Sequence, residues 1–223
     1  MRGRRYLRRA VFVGAATVGV AGAVLLWYAA SDALPPSTPT ALLDVIMPAY
    51  DVQEVHSTHV EAPPGKAFAA ILAVTPSETA LARPLLWVRT LPARVLGTGR
   101  IDDGLLNRPF LSAPRTGILG QEPGEEIVIG LVGKFWMLHG TERVEVQSRE
   151  HFMTFKTAGF AVSTLSFHVH REANGVRVTT ITRVRTTDPE SQRAFLRYWR
   201  VISTGSGVLR RTWLRAVKAR AER

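Results

Sequence analysis

The sequence predicts an α+β domain in which antiparallel strands precede one long C-terminal helix, with a membrane-spanning helix ahead of both. Three observations carry this prediction. The last stretch, Asp188 to Arg223, repeats apolar residues at spacings of three and four. Asn174-Gly175 sits between two strand-like runs, and Val11 to Ala30 is a run of twenty residues without a charge.

Length and charge narrow the classes. The 223 residues carry a formal net charge of +11 and a mean hydropathy of +0.04, which suits one globular domain plus an appendage. Five arginines (Arg2, Arg4, Arg5, Arg8, Arg9) precede the apolar run, so the remainder carries only +6 (11 less 5). That is too diffuse to signal nucleic-acid binding. The chain has no cysteine, which excludes disulfides, thiolate metal sites and a cysteine nucleophile.

Residues 1–10 read as a basic cytoplasmic tail and 11–30 as a transmembrane anchor. Twenty helical residues reach ~30 Å, the thickness of the hydrocarbon layer. Trp27 and Tyr28 close the run as an interfacial belt does, and the next Lys or Arg is Lys66. The charge asymmetry keeps the N-terminus cytoplasmic and sends everything after Ala30 outside the cytoplasm. A cleaved signal peptide is the rival, with Ser31 and Ala33 as its only small-residue pair; the length of the run favours the retained anchor. Residues 31–40, rich in Pro, Ser and Thr, read as a semi-extended linker unlikely to pack. Residues 41–223 form the domain.

Ala41 to Met47 is a short apolar piece, stopped by Pro48, that docks on the domain edge. Asp51 to Glu61 is strand-like, and a short helix carrying Phe68, Ile71 and Leu72 follows Gly65. Thr75-Pro76-Ser77-Glu78 is a capping box that opens a second helix, which Pro84 ends. Residues 97–115 read mainly as loop. Strands are expected at 117–121, 126–132, 135–138 and 142–146. In the hairpin 160–171 and 176–186, a two-residue Asn174-Gly175 turn would pair Val169 with Thr180 and Leu165 with Val184. One face then collects Leu165, Phe167, Val169, Val178, Thr180, Thr182 and Val184. The other collects Thr164, Ser166, His168, His170, Thr179, Ile181 and arginines 177, 183 and 185, and reads as solvated. Asp188-Pro189-Glu190 starts the final helix. Its buried stripe is Phe195, Trp199, Ile202, Ser206, Leu209, Trp213 and Val217, with Arg193, Arg197, Arg200, Thr204, Arg211, Arg215 and Lys218 opposite. Gly205 and Gly207 bend it at most.

Several segments resemble a known family. Val60-Glu61-Ala62-Pro63-Pro64 with Lys66-Ala67-Phe68 and Ile71, the segment 120–136 (GQEPGEEIVIGLVGKFW) and Arg197-Tyr198-Trp199-Arg200-Val201-Ile202 are similar to bacterial members of the SRPBCC superfamily. These are the START-like and polyketide-cyclase-like helix-grip domains. The resemblance covers roughly residues 41–223 and implies a curved antiparallel sheet wrapped around the C-terminal helix. It also implies a deep, mostly apolar cavity between them for a lipid, sterol, polyketide or other hydrophobic small molecule. No catalytic motif of the family is present to carry over.

Candidate lining residues are Phe167, Val169, Thr180, Thr182, Trp199 and Ile202, with His56 at a polar end. Small inward threonines leave space and offer hydroxyls. Glu54 and His56 share one face of the first strand, Val55, Ser57, His59 and Glu61 the other. If the first face is the cavity side, Glu54 and His56 form an acid/base candidate, although a simply hydrogen-bonded histidine is the plainer alternative. His168 and His170 have metal-ligand spacing, but among arginines and without a third ligand they read as a solvated pair. Asp102-Asp103-Gly104 is turn chemistry, and Gly97-Thr98-Gly99 and Gly205-Ser206-Gly207 lack the context of a nucleotide loop or a nucleophile elbow. No metal, cofactor or nucleic acid is therefore expected. The expected function is membrane-tethered binding or transfer of a hydrophobic small molecule or lipid. The basic helix face suits anionic headgroups, and a cyclase- or hydrolase-like enzyme using the same cavity is the alternative.

Overall fold

The structure, a computed structural model, describes residues 30–35, 38, 40–79, 107–112, 116–137 and 142–223. The apolar run other than Ala30, the helix expected before Pro84 and the 97–106 loop lie outside those residues. Among the described residues no helix is long and apolar enough to cross a membrane.

In chain order the elements are α1 (Ala41–Ile46), β1 (Val52–Val60), α2 (Pro64–Ala73), β2 (Gly117–Glu122), β3 (Glu126–Gly133), β4 (Arg143–Val144), α3 (Arg149–Thr154), β5 (Ala161–Glu172), β6 (Gly175–Thr186) and α4 (Pro189–Ala221). The strands make one antiparallel, curved, six-stranded sheet in the order β1-β6-β5-β3-β2, with β4 also on β3. The long helix α4 lies across one face. The α+β class, the antiparallel sheet and the long C-terminal helix are as expected.

Helix α4 starts where its sequence says it should. Asp188 accepts hydrogen bonds from the backbone N–H groups of Glu190 (3.0 Å) and Ser191 (2.8 Å), and Pro189 occupies the first helical position. The helix continues for 33 residues through Gly205 and Gly207. Phe195, Trp213 and Val217 are buried, whereas Trp199, Ile202, Ser206 and Leu209 are only half-buried. Full burial therefore holds at the two ends of the expected stripe and relaxes in its middle. The C-terminal half packs with α2 against Ile127, Ile129, Leu165, Phe167, Val169 and Val178.

The hairpin register departs from the expected one by two residues. Phe167 pairs with Thr180, Leu165 with Thr182, and Glu172 with Gly175, so the loop is Ala173-Asn174 rather than Asn174-Gly175. Gly175 is a strand residue at φ +125°, and a Cβ there would lie 2.3 Å from the Val60 carbonyl oxygen. Glycine is needed for that close approach of β1, not for the turn. A slip of two preserves the side-chain parity, so the face assignment survives.

The face expected to be solvated is buried. Thr164, Ser166 and His168 are fully buried, with Thr179, Ile181 and Arg183 nearly so. Helix α1 does not dock at an edge but covers this face with Leu43, Ile46 and Met47, and Phe152 of α3 joins them. The polar groups beneath find partners in the covering segment. Arg183 donates to Asp44 (2.6 Å), to the Met47 carbonyl (3.0 Å) and to Gln53 (2.8 Å). Glu126 accepts from the first-turn N–H groups of Leu42 and Leu43, at 3.3 and 3.0 Å. His168 is therefore not half of a solvated pair; its Nε2 meets Ser166 Oγ at 2.8 Å and its Nδ1 lies 3.6 Å from Glu126.

Smaller departures are also clear. Residues 135–137 turn rather than extend, and the strand expected over 142–146 shrinks to Arg143–Val144. The capping box is formed, with Thr75 N donating to Glu78 (2.9 Å), but it opens only the 3₁₀ turn Pro76–Glu78. Helix α3, capped by Ser148, has no counterpart among the expected elements. Finally, the first linker residues do pack: Ser31 Oγ accepts from Val55 N (2.8 Å), Asp32 N donates to the Val55 carbonyl (2.6 Å), and Asp32 accepts from Ser57 N (2.9 Å). They cover the open edge of β1, where unpaired backbone groups need partners.

Candidate functional site between the sheet and the long helix

Two cross-strand rows build the site. His56 of β1 stands beside Thr180 of β6, which stands beside Phe167 of β5; one row along, Glu54 stands beside Thr182, then Leu165. All six residues are buried. Alternation along β1 turns Val55 to the α1 side and Glu54 and His56 to α4. Across from them α4 offers Ser206, Arg210 and Trp213 at i, i+4 and i+7, which is one helix face.

The polar core of the site is Glu54. Its Oε1 lies 2.7 Å from His56 Nε2 and its Oε2 accepts from Ser206 Oγ at 2.9 Å. An ionised Glu54 only accepts, which places a proton on His56 Nε2; in the neutral ring that tautomer leaves the Nδ1 lone pair free. Nδ1 is buried with no hydrogen-bond partner among the described residues. The same holds for Thr180 Oγ1, Arg210 Nε and Trp213 Nε1.

Aromatic packing fixes the positions of these groups. Trp213 is stacked on Phe110 at 3.9 Å and meets Phe167 edge-on at 5.0 Å. The Arg210 guanidinium lies over the Trp213 ring at 5.6 Å, a cation–π arrangement. Burial pushes the Arg210 pKa down from its ordinary value, and the Glu54 carboxylate opposes that shift. Chemically the arrangement combines three donors (Arg210, Trp213, Thr180) with one lone pair (His56 Nδ1). It suits a ligand oxygen that accepts and a ligand proton that can be shared or taken.

The expected lining residues do not all converge. Phe167 and Val169 belong to the packed core beneath Trp213. Trp199 stacks on Phe195 (5.7 Å) in a separate cluster, fourteen residues or ~21 Å along the helix from Trp213. His56, Thr180 and Thr182 lie between these groups, and Ile202 is half-buried on the intervening stretch of α4. His56 sits in the polar heart of the site. Arg210 was missed, yet at 100° per residue it falls 40° from Ser206, so helical phase alone would have found it. His59, on the other face of β1, is half-exposed and pairs with Glu172 at 2.6 Å.

Two hollows among the described residues lie elsewhere: one of about 650 Å³ around Glu61–Pro64, Arg171 and Gly175, and one of about 240 Å³ between α1 and α3. Among the described residues no group of three or more His, Asp or Glu side chains is placed to hold a metal.

No protein-family model and no curated protein matches the chain. Solved structures do. An AHSA1-like protein from Rhizobium etli shares 12% identity over 77% of this chain and 82% of its own, with a TM-score of 0.32. A Mesorhizobium loti protein shares 12% over 76% of this chain and 96% of its own, at 0.34. The di-domain ARO/CYC protein of the steffimycin biosynthetic pathway shares 14% over 77% of this chain and 50% of its own, at 0.35.

Proposed function

We propose that this is a helix-grip domain of the SRPBCC type that holds a hydrophobic small molecule or lipid between the sheet and α4. The ligand's oxygen-bearing end lies against Arg210, Trp213, Thr180 and His56. One observation carries the reading: four buried polar atoms on facing elements lack a hydrogen-bond partner among the described residues. Buried polar groups are paired in the great majority of cases, so a cluster of exceptions marks where something else bonds.

The domain is tethered by residues 11–30 as a retained anchor and lies outside the cytoplasm. Charge asymmetry and the length of the apolar run support this. Resistance to alkaline extraction and an active external reporter fused after Arg223 are the expected results; release into the medium would favour a cleaved signal.

The test of binding is native mass spectrometry of the whole protein from mild detergent, with identification of what it retains. Arg210→Met should lose the retained molecule and the exposed Arg215→Met should keep it. Equal retention by both variants refutes the placement. A second reading, proton transfer, is favoured by the buried 2.7 Å Glu54–His56 pair, in which the carboxylate orients the ring and Nδ1 is the base. Under that reading His56→Asn abolishes turnover while the ligand is still retained.

A further inference from the structure

Three arginines on the outer stripe of α4, Arg193, Arg197 and Arg200, are exposed and have no carboxylate partner among the described residues. Among them stand Leu196, 36% exposed, and Val201, 82% exposed and the most open large apolar side chain described. Unneutralised cations around exposed apolar groups are the composition of a helix face that lies in a membrane interface. Val201 stands open beside Arg197 and Arg200, and no carboxylate among the described residues bridges these arginines.

The tether fixes where this face can go. Arg211 Nη2 donates to the Ala30 carbonyl (3.0 Å) and to the Asp32 carboxylate (2.6 Å), while Ser31 and Asp32 are bonded along β1. The chain therefore leaves the apolar run already clamped to the domain, with no slack linker between them. Arg211 falls at the same helical angle as Arg193, eighteen residues or five turns away. The clamp and the patch thus share one stripe, with Arg200 and Val201 ~15–17 Å from the clamp.

We propose that α4 lies along the membrane surface, with Arg193, Arg197 and Arg200 on anionic lipid phosphates and Leu196 and Val201 among the acyl ends. This rests on the anchor reading above. It adds an orientation: the ligand site on the inner side of the same helix is held within one helix diameter of the lipid. At about one kcal/mol per arginine near an anionic surface, the three cations together shift the docked-to-undocked ratio roughly a hundredfold.

The absence of cysteine makes the test direct, because a single introduced thiol carries the probe. The full chain, as Val201→Cys or as Glu150→Cys on α3, is labelled with an environment-sensitive fluorophore. It is then reconstituted in phosphatidylcholine vesicles with or without phosphatidylglycerol, containing a lipid-borne quencher. The expected result is strong quenching at position 201 only, dependent on phosphatidylglycerol and largely lost with Arg193→Gln, Arg197→Gln and Arg200→Gln together. Quenching no stronger at 201 than at 150 overturns the docking, whether or not the protein survives alkaline extraction. Extraction of the protein at alkaline pH overturns the anchor, and that result is read separately from the fluorescence.

Discussion

Replacing Trp213 by alanine should cost far more stability than the same change at Trp199, although both occupy the apolar stripe of α4. Trp213 is 3% exposed, stacked on Phe110 and edge-on to Phe167. A buried Trp→Ala change costs ~3–5 kcal/mol, and two aromatic contacts place this one near the top of that range. Trp199 is half-buried and has one stacked neighbour, so about half that loss, ~2 kcal/mol, is expected. Arg197→Ala, on the exposed stripe, should stay within about 0.5 kcal/mol. The assay is urea unfolding of the full chain in detergent, followed by far-ultraviolet circular dichroism. With a slope of about 2 kcal/mol/M, Trp213→Ala should lower the midpoint by ~2 M and Trp199→Ala by ~1 M. Equal losses at the two tryptophans would refute the packing assigned to the two halves of α4. A large loss at Arg197 would refute the helix phase itself.

Two further outcomes can be checked with the same measurement. Thr180→Val removes a buried hydroxyl that has no partner among the described residues, so it should leave stability unchanged or raise it by about 1 kcal/mol while weakening ligand retention; a loss of stability would refute this assignment. Two carboxylates should respond to pH with opposite signs. Burial raises the pKa of Glu126, opposed by the Leu43 and Leu42 N–H groups, so its favourable contribution is present below the ordinary glutamate range and lost as pH rises through the folded value. Asp188 is held far below the usual range by the Ser191 hydroxyl and N–H, then by Gly159 N–H, so its contribution is present above the ordinary aspartate range and lost as pH falls. Relative to wild type, Glu126→Gln should therefore gain as pH rises and Asp188→Asn should gain as pH falls. The same sign for both would sink this assignment.

What the sequence made legible was set by how local the signal is. The extent and phase of α4 follow from spacing within one segment, and its cap from three adjacent residues. The hairpin faces were legible because parity tolerates an even slip. The register itself was not, because Gly175 answers to Val60, a residue far away in sequence. The outer face was misread for the same kind of reason. His168 and Arg183 look like surface residues in their own strand, and nothing in that strand announces that α1, more than a hundred residues earlier, covers them. Helix α3 is six residues long with only Phe152 buried, too short to show a period. The Glu54–His56 pair was visible as a spacing of two, but its partner Ser206 and the neighbouring Arg210 come from the opposite end of the chain.

The two faces of the sheet make the strongest case for the site. On the outer face Arg183 is buried, and three acceptors from α1, the loop after it and β1 meet its guanidinium. On the inner face the same fold leaves Arg210 Nε, Thr180 Oγ1, Trp213 Nε1 and His56 Nδ1 without hydrogen-bond partners among the described residues. Each such group costs ~1–3 kcal/mol. Four together reach the order of a domain's whole stability, ~5–15 kcal/mol. A valine, a phenylalanine or a methionine at these positions would remove that cost, whereas the buried outer-face Arg183 is met by three acceptors. The proposed ligand would satisfy these four atoms, and a molecule bonding there should raise the unfolding midpoint in proportion to the logarithm of its concentration above Kd.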